Sequence, residues 1–335
     1  MMSDQKPLVA IHCLVYNHEP YLRDCFEGFV MQQTTFPFVA IVHDDASTDG
    51  SAAIICEYTQ KYPHIFLPIY EEQNLYQRGG FNAVMEVVNS AIDSTGAKYV
   101  AYCEGDDYWI DSLKLQKQVD FMEEHNEVGL CYTDYNRLDE RSHTIIESLF
   151  EKQKEYRTLL YEEFLLKPCY LAPMTWFYRS SLKKILTQAQ IVSDGTYAYM
   201  LEFMHQSAVA YIPEVTAIYR AHAGSASSPI GPQALFRYSV GVFRTQIHYT
   251  QKYPCSDEIK NMVLMRGYLA KLPIAILADN EEFIQEVKEY MDNYGMDIDL
   301  IIRELKQGEM RRRSWAYRIG KKILKPFSWL KQKIY

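Results

Sequence analysis

Over the first 135 residues, short apolar runs alternate with stretches of helical spacing. Residues 8–15 form an apolar run of strand length. Leu22, Cys25, Phe26, Phe29 and Val30 then recur every three or four positions, which predicts a helix over 21–33. The alternation repeats, with strands at 38–43, 65–70, 99–103 and 128–133 and helices at 47–58, 80–92 and 113–124. Strands that take turns with helices build βαβ units, which pair into a mostly parallel sheet with helices on its faces. The expected fold class is therefore α/β. Residues 136–170 are polar and without clear period, 173–178 reads as a strand, 193–204 as a helix, and 209–220 as an extended segment around Pro213. A stretch of small residues at 223–232 reads as a linker. Beyond it the pattern is helical, at 235–249, 257–272, 281–294 and 297–305.

Polar clusters follow three of the predicted strands, at 16–18, 44–49 and 104–107. Ligands of open parallel sheets bind beyond the carboxyl ends of the strands, so these clusters mark one candidate site. The sharpest is the third, where Glu104, Asp106 and Asp107 set three acids within four positions. Such a cluster repels itself. It becomes favourable around a hard divalent cation, because Mg²⁺ and Mn²⁺ take oxygen ligands and commonly sit between carboxylates and phosphates. A solvated acidic turn ahead of a helix capped by Asp111 would use the same residues. Ser47 and Asp49 have a similar double reading, since either can cap the helix that follows.

Composition narrows the class. The chain has 335 residues and 48 % apolar content, enough for one large domain or two smaller ones. Net charge is −8, yet residues 311–335 carry nine Lys/Arg and no acid, which leaves about −17 on the rest. An acidic body without a basic footprint argues against nucleic-acid binding. Seven scattered cysteines with no CxxC pair point to reduced protein without structural zinc. No signal peptide precedes the first strand, and no apolar run reaches the length of a membrane span.

The motifs in order are the strand ending Leu14-Val-Tyr-Asn17, then Tyr21-Leu22, then Val42-His-Asp-Asp-Ala-Ser-Thr-Asp-Gly-Ser51. They continue through Glu104-Gly-Asp-Asp-Tyr-Trp109 and 114–118 to Tyr219-Arg-Ala-His222. Together they closely resemble family-2 glycosyltransferases of the GT-A fold, over roughly residues 7–225. The resemblance implies a catalytic domain at 1–225, a helical extension at 226–310 and the basic tail at 311–335. It implies transfer of one sugar, hexosyl or N-acetylhexosaminyl, from a nucleotide-diphospho-sugar, first of all a UDP-sugar. The implied acceptor is a saccharide or lipid-linked oligosaccharide in cell-surface polysaccharide biosynthesis, and the implied cofactor is Mn²⁺ or Mg²⁺. Transfer to a hydroxyl needs a base for its proton and a cation for the leaving diphosphate. A single base opposite the leaving group gives inversion.

Carried over residue by residue, the resemblance places Tyr16 and the backbone near Leu14 against the nucleotide base. Asp45 is matched to the base imide, and Arg78 to the donor phosphates or base edge. Glu104, Gly105 and Asp106 fall on the family's DxD-type motif, with Asp106, Asp107 and His222 toward the metal. Asp194 matches the general base, and Trp176 is a candidate platform for the acceptor. Two departures stand out: Glu104 replaces the first Asp of the motif, and Ser193 precedes the base where many relatives have Glu. There is no Gln-x-x-Arg-Trp stretch, which sets the chain apart from processive synthases.

Two rival readings share this pattern. A dinucleotide-binding oxidoreductase would show G-x-G-x-x-G after the first strand, where this chain has Val15-Tyr-Asn-His-Glu-Pro20. A non-catalytic nucleotide-sugar-binding or membrane-adaptor protein would have no use for the retained acids. In the tail, Trp315, Ile319, Ile323, Phe327, Leu330 and Ile334 recur at helical spacing among the basic residues. That pattern predicts an interfacial helix on an anionic membrane, with the enzyme peripheral at the cytoplasmic face. The alternative is a helix docked on the acidic body.

Overall fold

The computed structural model describes residues 6–150, 157–189, 195–222 and 231–306. The chain forms two compact units, residues 1–228 and 229–335. The first opens with β1 (Val9–Val15), α1 (Leu22–Val30), β2 (Phe38–Asp44), α2 (Ser51–Lys61), β3 (Phe66–Tyr70) and α3 (Leu75–Thr95). Then come β4 (Tyr99–Tyr102), the short β5 (Tyr108–Trp109), α4 (Lys114–Glu124) and β6 (Val128–Asp139). The remaining elements are β7 (Thr144–Ile146), β8 (Arg157–Leu159), α5 (Tyr161–Leu166), β9 (Phe177–Arg179), α6 (Ile185–Gln188), α7 (Gly195–Gln206) and β10 (Ala208–Ala221).

The ten strands join one sheet among the described residues, in the order β3-β2-β1-β4-β9-β6-β10-β5, with β7 on β6 and β8 on β10. β3, β2, β1 and β4 pair in parallel. β9 is inserted antiparallel between β4 and β6, and β10 then runs parallel to β6. The long ladders are thus parallel, as expected, and the short strands β5, β7, β8 and β9 join them antiparallel. β1 sits between two neighbours and is buried along both faces, which explains its near-continuous apolar run. α1 covers one face with Leu22, Cys25, Phe26 and Phe29. Phe26 and Phe29 meet Phe66 and Trp109, each ring pair with centroids 4.9 Å apart. Each such buried ring stabilises the fold by about 1.5–3 kcal/mol. α1 approaches β5 so closely that a Cβ at Gly28 would lie 2.9 Å from the backbone nitrogen of Trp109.

Several expected boundaries move. The helix expected from residue 47 starts at Ser51, because Asp49 accepts from the Ser51 N–H at 3.0 Å and holds 47–50 as a turn. α3 starts at Leu75, capped by Asn74, and is kinked at Gly80, where φ is +70°. Residues 136–170, expected irregular, contain the end of β6, β7, β8 and α5. The expected strand at 173–178 is a 3-10 turn over Pro173–Thr175 followed by β9. Pro213 lies in β10 where the register with β6 shifts between Ile212 and Val215, so the proline interrupts no regular ladder.

The second unit contains α8 (Pro232–Lys252), α9 (Asp257–Leu277), α10 (Glu281–Asp292) and α11 (Ile298–Lys306). Ser256 and Asn280 cap α9 and α10 by accepting from the Ile259 and Phe283 N–H groups. Arg244 pairs with Glu286, which also accepts from the Tyr268 hydroxyl at 2.5 Å. Among the described residues no helix is long and apolar enough to cross a membrane. The basic tail at 311–335 lies outside the described residues.

His12, in the middle of β1, is fully buried and neither ring nitrogen has a hydrogen-bond partner among the described residues. Burial first and His43 second lower its pKa to about 3, so the folded protein keeps it neutral. The unfolded chain takes up that proton at about pH 6.5, so this stability is complete above pH 6.5 and is lost as pH falls toward 3. The expected cost is about 2 kcal/mol between pH 6.5 and 5, at roughly 1.4 kcal/mol per pH unit. Urea unfolding of wild type and His12→Phe at several pH values checks this. The variant should lose about one proton's worth of pH dependence, and equal slopes would assign the acid sensitivity to other groups.

Candidate active site

The strand ends of β1, β2, β4 and β10 build one polar site. The loop after β4 is laced to β1: the Cys103 N–H donates to the His12 carbonyl and the Gly105 N–H to the Leu14 carbonyl, both at 3.0 Å. The Leu14 backbone is thereby part of the loop's support. Gly105 has no room for a side chain. A Cβ there would meet His18 Nδ1 at 2.8 Å and Leu22 Cδ1 at 3.0 Å.

Glu104, Asp106 and Asp107 bring carboxylate oxygens within 4.8 Å of one another, a grouping that can hold a metal ion. Their surroundings differ. Asp106 receives His222 Nε2 on Oδ2 at 3.0 Å, while its buried Oδ1 has no partner among the described residues. Asp107 is 3 % exposed and its Oδ1 accepts the backbone N–H of Arg220 at 2.8 Å. Glu104 accepts from the Tyr102 hydroxyl at 3.2 Å. Burial, then repulsion by Asp106, pushes the Asp107 carboxyl well above the usual range. Burial acts on Asp106 as well, but the His222 hydrogen bond and the nearby imidazoles outweigh it and hold its pKa below normal. Of the two neighbours, Asp106 therefore keeps its charge more readily.

On the other side of the site, the Asp45 backbone N–H donates to the Val15 carbonyl, continuing β1 to β2 contact past the strand end. The Asp45 carboxylate is 6 % exposed and accepts from the Leu75 and Tyr76 N–H groups at 2.5 and 3.0 Å. It thus caps α3 from 30 residues away. Tyr16 is 40 % exposed at the end of β1, and Arg78 is exposed on the first turn of α3, just before the Gly80 kink. The loop joining β1 to α1 is tied to the 47–51 turn. Asn17 and His18 donate N–H to Ser47 and Ser51 Oγ, each at 2.9 Å.

Glu104, Asp106, Asp107 and His222 therefore come together, Tyr16 and Asp45 stand at the neighbouring strand ends, and Arg78 stands on the turn of α3 that Asp45 caps. Trp176 does not join them. It is 1 % exposed, with its indole N–H donating to the Leu171 carbonyl at 3.0 Å. A buried ring has no face for a sugar, which corrects its reading as an acceptor platform. Asp194 lies outside the described residues. Sequence reasoning overlooked two side chains. His18 is lowered in pKa, by burial first, and interacts with both Asp106 and His222. Arg220 is buried with an ion pair to Asp24 at 2.7 Å and another to Glu140. Their only signal was position: His18 closes the polar cluster after β1, and Arg220 stands two residues before His222.

Comparison with known proteins gives this geometry a family. An uncharacterised protein of Mycobacterium bovis is 32 % identical over 220 residues, which cover 64 % of this chain and 59 % of that protein. A Bacillus subtilis protein described as a candidate teichuronic acid biosynthesis glycosyltransferase, TuaG, is 30 % identical over 135 residues, 40 % of this chain and 49 % of its own. The chain thus spans about half to three-fifths of these relatives' length. Among solved structures, Staphylococcus aureus TarS bound to UDP-GlcNAc matches with a TM-score of 0.58 at 19 % identity, over 85 % of this chain and 83 % of that one. The mannosyltransferase PcManGT of Pyrobaculum calidifontis, in complex with GDP-Man and Mn²⁺, matches with a TM-score of 0.57 at 14 % identity, over 97 % and 88 %. At these identities the structures bear on the fold alone, and the fold is GT-A. Residues 11–186 match glycosyl transferase family 2, more than half of the chain, and the chain belongs to that family.

Proposed function

We propose that the chain is a cation-dependent glycosyltransferase that moves one sugar from a nucleotide-diphospho-sugar, with a UDP-sugar first, to a saccharide or lipid-linked acceptor with inversion. The observation that carries this reading is the pairing of Asp106 with His222, with a buried carboxylate oxygen that has no partner among the described residues. Carboxylate and imidazole donors beside an unpaired Oδ1 fit Mn²⁺ or Mg²⁺. When bound there, the cation would neutralise charge building on the departing diphosphate. Asp106 and His222 are the ligands in this reading. Asp107, whose Oδ1 already accepts from Arg220, stands behind them as a support. Glu104 has the extra methylene to reach a ribose hydroxyl or a water of the cation. Tyr16 and Asp45 border the base, Arg78 faces the phosphates, and Asp194 takes the acceptor proton.

The names of similar proteins support the setting. TarS with UDP-GlcNAc and PcManGT with GDP-Man and Mn²⁺ favour a nucleotide-sugar donor and a divalent cation. TuaG favours synthesis of a cell-surface polysaccharide. The basic, apolar-striped tail would hold the enzyme at an anionic membrane surface where a lipid-linked acceptor is found.

Three outcomes are expected. Asp106→Asn should abolish Mn²⁺ binding and sugar transfer, whereas Asp107→Asn, which keeps an oxygen for the Arg220 N–H, should lose less. Mn²⁺ titration and transfer assays with and without chelator measure both, and full activity in excess chelator would refute the cation. Asp194→Asn should lower turnover by about 100-fold or more while donor affinity holds. Wild-type turnover in that folded variant removes Asp194 from the base role. Removing 311–335 should release the protein from anionic vesicles without loss of nucleotide binding, and raising salt should weaken wild-type binding as the Debye length falls from about 10 Å to about 3 Å. Co-sedimentation decides it: a full-length protein that ignores anionic vesicles is not held by its tail.

A further inference from the structure

We propose that Arg220 is a positioning residue for the acidic loop, fixing the backbone at 106–107 so that a divalent cation meets a preformed set of ligands. The inference rests on the cation reading above.

Arg220 is the next-to-last residue of β10, which pairs antiparallel with β5 directly after the acidic loop. From there it grips the loop twice. Its backbone N–H donates to Asp107 Oδ1 at 2.8 Å, and its Nε donates to the Asp106 carbonyl at 3.0 Å. The guanidinium is in turn gripped from three sides. Asp24 on α1 pairs with it at 2.7 Å, Glu140 at the end of β6 pairs with its other arm, and the rings of Tyr21 and Tyr108 lie 5.1 and 4.8 Å from its centre. A planar fork held at both arms and between two rings has little freedom left. Its grip falls on the backbone of Asp106 and leaves that residue's Oδ1 without a partner among the described residues. Two residues on, His222 adds the imidazole that meets Oδ2. One strand end therefore sets the loop and supplies a ligand beside it.

The sign of the electrostatics separates this role from a mere charge effect. A fixed positive charge beside a cation seat opposes cation binding. If Arg220 acted only through its charge, removing it would tighten Mn²⁺ binding. If it positions the loop, removing it weakens binding, because ligands that must be organised on binding bind less tightly.

The test is Mn²⁺ titration of the full-length protein, with free Mn²⁺ read by electron paramagnetic resonance and folding followed by thermal melting. Arg220→Gln and Arg220→Lys should each weaken Mn²⁺ binding by about 10-fold or more, the range of residues that orient metal ligands. Lysine keeps the charge but not the fork, so it should not rescue. Tyr108→Leu changes no charge and removes one wall of the guanidinium, and it should weaken binding by about 2- to 5-fold, the worth of an exposed to half-buried cation–π contact. A purely structural role would lower the melting temperature of folded variants and leave Mn²⁺ affinity where it was. Equal or tighter Mn²⁺ binding by a folded Arg220→Gln overturns the proposal. If neither Arg220 variant folds, Tyr108→Leu decides, and unchanged affinity there overturns it equally. A wild-type protein that binds no Mn²⁺ overturns the cation reading itself, an outcome distinct from either.

Discussion

The N–H of Arg220 meeting the carboxylate of Asp107, 113 residues apart in sequence, is the contact on which the site depends. Three acids with oxygens inside 4.8 Å of one another do not stay together unaided. At an effective dielectric of 20, two charges at that separation repel by about 3 kcal/mol. A hydrogen bond to a charged group returns about 1.5–3 kcal/mol, so one alone does not offset the repulsion. The loop uses several: the Arg220 N–H on Asp107, His222 on Asp106, and Tyr102 on Glu104. Burial, then Asp106, raises the Asp107 pKa, so this carboxyl holds a charge less readily than a free one. The cluster is therefore assembled by the fold in advance and holds its shape at an electrostatic cost.

How far the chain reveals this in its sequence depends on the range of each interaction. β1, β2 and β4 were legible because strands buried on both faces read as apolar runs. The acidic loop was legible because its acids are adjacent. The region 136–170 was not, since β7 is exposed and the second half of β6 is only partly buried, so neither alternates cleanly. The strand expected at 173–178 overlaps β9 by two residues, but its place between β4 and β6 has no signal in the local pattern. Trp176 shows the limit for aromatics. From sequence a tryptophan reads equally as platform or core, and only the folded structure, with the ring 1 % exposed, shows that it is core.

Asp45 illustrates a role that sequence separates and structure joins. Its place after β2 marks it as a site residue, while its carboxylate also closes the first turn of α3. That turn carries Arg78 ahead of the Gly80 kink, so a change at Asp45 acts on the exposed arginine through the helix start. The effect travels by backbone hydrogen bonds, which no local pattern of side chains records.

The clasp also has a direction in time. Residues 104–107 leave the ribosome well before residues 220–222, a delay of roughly 6–20 s at ordinary rates of synthesis. Through that interval the strands β1, β2 and β4 can already pair, but the acidic loop has neither its arginine nor its imidazole. The pairing of β10 with β6 and β5 waits for the same late stretch of chain. A nascent chain therefore completes the ends of β1, β2 and β4 first and the contacts between the acidic loop and β10 last. A chain cut short of β10 carries the three acids without the N–H and the imidazole that hold them.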